Sequence, residues 1–425
     1  MDRHGFSTAS VACAGIVFLC TFAAEGAVRQ WLGTDAANPT LASVAANWSP
    51  AGTPAATDDI LLDAAAASKP LTWDLDTAVH SWTQTVGYAG IVTFRSGRTG
   101  KAKDSTVVAC GELDANGTDR WFRVTGDINL QGGVWTHAQT PPFYNTDIAC
   151  TNGLGIYRLL VRCDGDFILG AGATLDASAK GFELKTGPGR STGSVAGASH
   201  GGRSSAHAQA SAAVNIPQPC YGSVKEPVCL GSGGLYSYGG GAVRLEIAGA
   251  LALDGAIRVD GSDYTVGTTT IQPYYAPSGG SVFVKAGSLS GTGFISADGG
   301  ICTGGGCGGG GRVAVVLTNT TTFGTFPAAH LSAAGHLANS VPSHSGTIYL
   351  ETAADGGRGA LLVRGCLPSF AQIDYSRAAL PSTALFDPYD DYDFSEIVLS
   401  GAAVLGIHSN VVVKTGALVS ENAAG

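Results

Sequence analysis

Apolar and polar residues alternate in short runs along most of this chain. The clearest unit lies between Gly240 and Gly261. There Val243, Leu245 and Ile247 alternate with Ala242, Arg244 and Glu246, and Leu251 and Leu253 alternate next. Asp254-Gly255 interrupts, Ile257 and Val259 resume the alternation, and Asp260-Gly261 breaks it again. A period of two is the signature of a strand with one buried face, and Gly-containing breaks mark the turns. A similar unit follows 38 to 39 residues later, so that Ile295 matches Ile257 and Asp298 matches Asp260. Fainter copies sit at 173–178, 311–316 and 346–350, and the last strand-like run is 410–414.

Repetition of strand, turn and strand in a fixed order predicts stacked coils, in which equivalent apolar residues lie above one another and build the core. The expected fold is all-β: a right-handed parallel β-helix with an N-terminal β module. Asp-Gly between alternating runs is also a strong hairpin signal, so an array of β-sandwiches is the alternative. Residues 28–110 stand apart as that N-terminal module, with Trp31, Trp48, Trp73 and Trp82, four of the six tryptophans. Residues 111–425 form the glycine-rich solenoid. No polar capping segment follows the last run, which predicts a fragment, or a last coil that a neighbour covers.

Composition sharpens this picture. Glycine occurs 62 times in 425 residues, which demands frequent turns, while 44% hydrophobic and 13% charged content argues against a disordered chain. The net charge of −9, without a Lys/Arg block, removes the electrostatic footprint of a nucleic-acid binder. Residues 1–27 read as a signal peptide: Arg3 and His4, an apolar run from Val11 to Ala24, and small residues ending at Ala27. No later stretch is long and apolar enough to span a bilayer. A secreted or cell-surface location follows. It leaves eight cysteines in an oxidising compartment, with Cys220 and Cys229, and Cys302 and Cys307, as the candidate local disulfides.

Ala46-Asn47-Trp48-Ser49-Pro50-Ala51-Gly52-Thr53-Pro54, followed by Asp58-Asp59-Ile60-Leu61-Leu62, resembles the opening segment of exported bacterial β-helix and autotransporter-like proteins. From Gly239 to Leu317, the glycine-flanked runs Ala242-Val243-Arg244-Leu245, Ser281-Val282 and Arg312-Val313-Ala314 are similar to repeats of very large, adhesin-like surface proteins. The resemblance implies an adhesive or structural role, with extracellular glycans or surface components as partners.

Parallel β-helices also carry polysaccharide lyases and hydrolases, and their coils present carboxylates as ladders. Asp254, Asp260 and Asp298 are the candidate acid and base residues, with Arg258 or Arg244 to hold a sugar acid. All three aspartates precede glycine in turns, where Asp commonly bonds local backbone. Asp390, Asp391 and Asp393 lie in the densest acidic run and are weak calcium candidates, without the glycine and spacing of an EF-hand loop. No cofactor is expected. Gly189-Arg190-Ser191-Thr192-Gly193 spells a nucleophile elbow but lacks the following helix. The segment 191–212, with His200, Arg203 and His207, reads as a surface loop. Asn47, Asn116 and Asn319 head glycosylation-acceptor triplets. The sequence therefore predicts a non-enzymatic structural or adhesive protein, with a β-helix polysaccharide enzyme or a carbohydrate-binding module as the alternatives.

Overall fold

The computed structural model describes residues 26–94, 121–139, 157–191, 196–205, 219–262, 265–266, 269–270, 275–302, 306–338, 341–365, 383–385, 391–407 and 411–421. Among them the regular elements are strands and two short 3-10 turns. No helix of the described residues is long and apolar enough to cross a membrane.

The strands fall into sheets of eight, nine and seven members, with three further two-stranded pairs. The chain visits the three large sheets in rotation. Ala242–Ile247 lies in the nine-stranded sheet, Ala250–Leu253 in the eight-stranded one and Ala256–Arg258 in the seven-stranded one. Ser281–Ala286, Ser288–Ser290 and Phe294–Ser296 repeat the same tour beside them in parallel register. The sequence repeat and the register agree here, since Ile257 pairs with Ile295.

Alternation sends one side chain in two inward, and register stacks those residues into columns. Ile60, Trp82, Ile128, Phe167, Leu251 and Leu289 form one column. Val92, Trp135, Leu175, Ile257, Ile295 and Leu331 form the second. Phe122, Val161, Leu245, Val284 and Val315 form the third. All of these residues are buried in one continuous core. At its N-terminal end the core is aromatic: Trp31 meets Trp48 with ring centroids 5.0 Å apart, Trp73 meets Trp82 at 5.4 Å and Trp82 meets Trp135 at 5.3 Å, all edge to face. That geometry sets the positive edge of one ring on the negative face of the next. The tryptophans of residues 28–110 thus fill the same core as the later coils.

The expectation of a single right-handed β-helix requires correction. Three mostly parallel sheets are present, and the winding does not run uninterrupted through them. Thr347–Glu351 and Ala360–Arg364 pair antiparallel within the nine-stranded sheet, and Asp393–Ser400 and Lys414–Glu421 then extend that sheet alone. The physical cause is the turn between the antiparallel pair. Gly356 and Gly357 adopt φ of 58° and 86°, a left-handed backbone that turns a chain back on itself as a hairpin. A second antiparallel pair, Val28–Trp31 with Trp48–Ser49, lies at the edge of the eight-stranded sheet.

The glycine-rich segments outside the strands form a packed layer instead of loops. Phe182 N–H donates to Gly231 O, Gly231 to Gly240, Gly240 to Ser278, Gly279 to Gly309, and Gly202 to Gly310. Backbones lie side by side here at a separation that excludes side chains. A Cβ on Gly280 would stand 1.9 Å from Gly241 O, one on Gly311 2.0 Å from Gly280 O, and one on Gly346 1.6 Å from Gly311 O. These glycines make a ladder at the corner that leads into the nine-stranded sheet, each occupying the place where the previous coil puts its carbonyl.

Candidate functional site

Arg258, Asp260 and Asp298 come together at the corner where the seven-stranded sheet gives way to the glycine ladder. Arg258 pairs in register with Asp176 and Ser296. Its guanidinium lies over the Phe294 ring, 4.3 Å from the centroid. Asp260 Oδ1 accepts the N–H of Asp298 at 2.8 Å, and Oδ2 accepts the Ser296 hydroxyl at 2.9 Å. Asp298 Oδ1 in turn accepts the Ala334 N–H at 2.6 Å and the Ser332 hydroxyl at 2.5 Å. Burial, followed by the neighbouring Asp298 charge, pushes the Asp260 carboxyl up to about 6. Asp254 does not join them. It lies in the turn before Ala256–Arg258, and its Oδ1 accepts the Thr292 N–H at 2.9 Å and the Thr292 hydroxyl at 3.2 Å.

Each of the three carboxylates thus ties its own coil to the next by accepting a main-chain N–H. The same bond recurs at a corner with no candidate chemistry, between the nine- and eight-stranded sheets. There Asp127 Oδ1 accepts the Asp166 N–H at 2.8 Å and Asp166 Oδ1 accepts the Ala250 N–H at 2.7 Å. A corner N–H has no ladder partner of its own, and an aspartate one coil below supplies the acceptor. Asp298→Ala should therefore cost about 1–2 kcal/mol, the penalty for stripping a half-buried N–H and hydroxyl of their acceptor. The measurement is the urea-unfolding midpoint of the variant against the parent.

The acidic run is engaged by cations. Lys225 Nζ bonds Asp391 Oδ1 at 2.5 Å, holding that carboxyl below its usual range. Arg358 Nε bonds Asp393 Oδ1 at 2.8 Å. Asp390 lies outside the described residues. Among the described residues no group of three or more His, Cys, Asp or Glu could hold a metal ion. Cys302 and Cys307 stand at disulfide distance with Cα atoms 5.0 Å apart, closing a loop against Ala276. Cys220 and Cys229 are both buried, and Cys229 packs against Tyr221.

A cluster that sequence reasoning missed lies where the glycine layer covers the nine-stranded sheet. Segment 196–205 is buried over most of its length. His200 is fully buried, stacks on Tyr221 at 4.5 Å and donates from Nδ1 to Gly279 O at 2.8 Å, while its Nε2 has no partner among the described residues. Arg312 is buried beside it, donating from Nε to Tyr221 O and from Nη1 to Thr347 Oγ1, each at 2.9 Å. Burial, then the Arg312 charge, depresses His200 to about 3. His344 is depressed to about 4 by burial and by Arg203, and its Nε2 is likewise without a partner among the described residues. The only signal in the sequence was glycine density on both sides of His200. Glycine density reads equally well as a flexible loop.

No family model, no curated protein and no solved structure matches this chain.

Proposed function

We propose that this is a non-enzymatic structural or adhesive protein, secreted or held at a cell surface, whose partners are extracellular glycans or other surface components. The observation that carries the reading is the shared use of the corner aspartates. Asp254, Asp260 and Asp298 each use Oδ1 to accept a main-chain N–H of the next coil, as Asp127 and Asp166 do at a corner without candidate chemistry. Carboxylates committed in this way brace a surface. The stacked sheets present long, regular rows of side chains to solvent, which suits contact with an extended partner. The signal-like residues 1–27 and the resemblance to adhesin-like repeats support export.

The competing reading, a polysaccharide lyase or hydrolase, draws on Asp260. Its carboxyl is raised to about 6 beside Asp298, with Arg258 on the same strand-and-turn unit, and a raised carboxyl suits a general acid. The two readings separate in one screen: the chain from residue 28 onward is applied to a glycan array and incubated with a panel of neutral and acidic polysaccharides. Binding without release of new chain ends is the expected result. Turnover that disappears in Asp260→Asn would overturn the proposal.

A further inference from the structure

Three triplets match the pattern for asparagine-linked glycosylation, and the fold separates them. Asn116 lies outside the described residues. Asn47 is fully buried: Nδ2 donates to Asn38 O at 2.8 Å and to Leu41 O at 3.0 Å, and Oδ1 accepts the Asp35 N–H at 2.8 Å. Both amide hydrogens and the carbonyl are consumed, and Trp48 beside it is buried in the aromatic core. A sugar on Asn47 would break all three bonds and displace the turn that places Trp48. That site is closed by the fold.

Asn319 is the opposite case. It follows the strand Arg312–Leu317 on an exposed corner, and Thr318, Asn319 and Thr321 all face solvent. The main chain there is anchored, because the N–H groups of Thr318 and Asn319 donate to Ala286 O and Gly287 O. The side-chain amide makes no hydrogen bond among the described residues. The coil beneath presents Gly287, where a Cβ would come within 2.8 Å of Asn319 Nδ2. Glycine at that position leaves the amide uncrowded. The acceptor triplet Asn319-Thr320-Thr321 is therefore held through its main chain, since Asn319 N–H donates to Gly287 O and Thr320 O accepts the Ala353 N–H, while the side chains of Asn319 and Thr321 face solvent and the Asn319 amide makes no hydrogen bond among the described residues.

We propose that Asn319 is a glycosylation site, taking an oligosaccharide from a lipid-pyrophosphate-linked donor when the chain passes through a secretory pathway that carries the transferase. In the transfer, Nδ2 of Asn319 bonds to C1 of the first sugar and gives up one proton. The bond from C1 to the phosphate oxygen breaks, and the lipid pyrophosphate leaves. A glycan here stands at an outer corner, clear of the core and of the glycine layer, so it adds hydration without disturbing packing.

The test is expression of the chain from residue 28 in a glycosylating eukaryotic host behind the host's own cleavable signal, so that entry into the pathway is independent of the export reading above. Peptide mapping of the secreted protein, with and without peptide N-glycosidase, reads each asparagine. The expected result is a glycan on Asn319, lost in Asn319→Gln with secretion retained, and an unmodified Asn47. An unmodified Asn319 in secreted protein, while a co-expressed reporter glycoprotein is fully glycosylated, would overturn the proposal. A glycan on Asn47 in folded, secreted protein would overturn the discrimination between the two sites.

Discussion

Gly311→Ala is expected to abolish the cooperative thermal transition or lower its midpoint drastically, with a loss of at least about 3 kcal/mol. The added methyl would lie 2.0 Å from Gly280 O and 2.9 Å from Gly280 N. Both are backbone atoms of the neighbouring coil, so no side chain can swing away to make room. Gly311 N–H also donates to Ala297 O, and Gly311 O receives Thr347 N–H. A shift of this backbone therefore disturbs the coils on both sides. Gly356→Ala is the matching control. Its φ of 58° is unfavourable for alanine, yet no atom lies within 4 Å of the new Cβ, so the expected cost is about 1 kcal/mol, the conformational term alone. Melting midpoints followed by circular dichroism distinguish the two, and equal effects would show that conformation, not crowding, governs the ladder.

Mild acid is the second large perturbation. His137, His200 and His344 are depressed from 6.5 to about 4, 3 and 4, in each case foremost by burial. Between pH 6.5 and about 4 the unfolded chain binds protons on these three residues that the folded chain refuses, so their contribution is full above pH 6.5 and is lost as pH falls. Asp260 acts in the opposite sense. Its carboxyl is raised from 3.8 to about 6, so the folded state gains a proton, and stability, as pH falls through 6. Three groups against one gives a net loss. Each unit of depression corresponds to roughly 1.4 kcal/mol, and the expected total by pH 4 is several kcal/mol. Urea-unfolding midpoints from pH 8 to pH 4 should fall steadily below 6.5, and His200→Gln should flatten part of that slope. A midpoint constant across the window would contradict the burial of these rings.

The strands were legible because alternation survives in each run: Val243, Leu245 and Ile247 point inward as their spacing requires. The 38-residue match gave the pairing of Ile257 with Ile295. The reversal after Glu351 was the missed step. Asp355-Gly356-Gly357 carries a hairpin signal, but Asp-Gly also stands at corners such as Asp260-Gly261, where the chain continues into another sheet. Position in the stack, which the local sequence does not encode, decides between them. The glycine layer was hidden for a related reason. Glycine permits both mobility and the closest backbone approach, and only the neighbours of Gly240, Gly279 and Gly310 determine which occurs. At the candidate site Arg258 ends the strand Ala256–Arg258, and Asp260 and Asp298 stand two residues past the ends of their strands. The acceptor bonds that commit those aspartates run between coils and have no sequence signature.

The described glycine-rich segments are interior structure that fastens the sheets together. Hydrogen exchange at neutral pH, read at the amides of Gly240, Gly279 and Gly310, tests this directly. These amides donate to Ser278 O, Gly309 O and His344 O and are expected to exchange as slowly as those of Leu245 and Val284 in the neighbouring strands. Exchange at the rate of an unstructured peptide would contradict the packed layer, and with it the reading of His200 and Arg312 as buried.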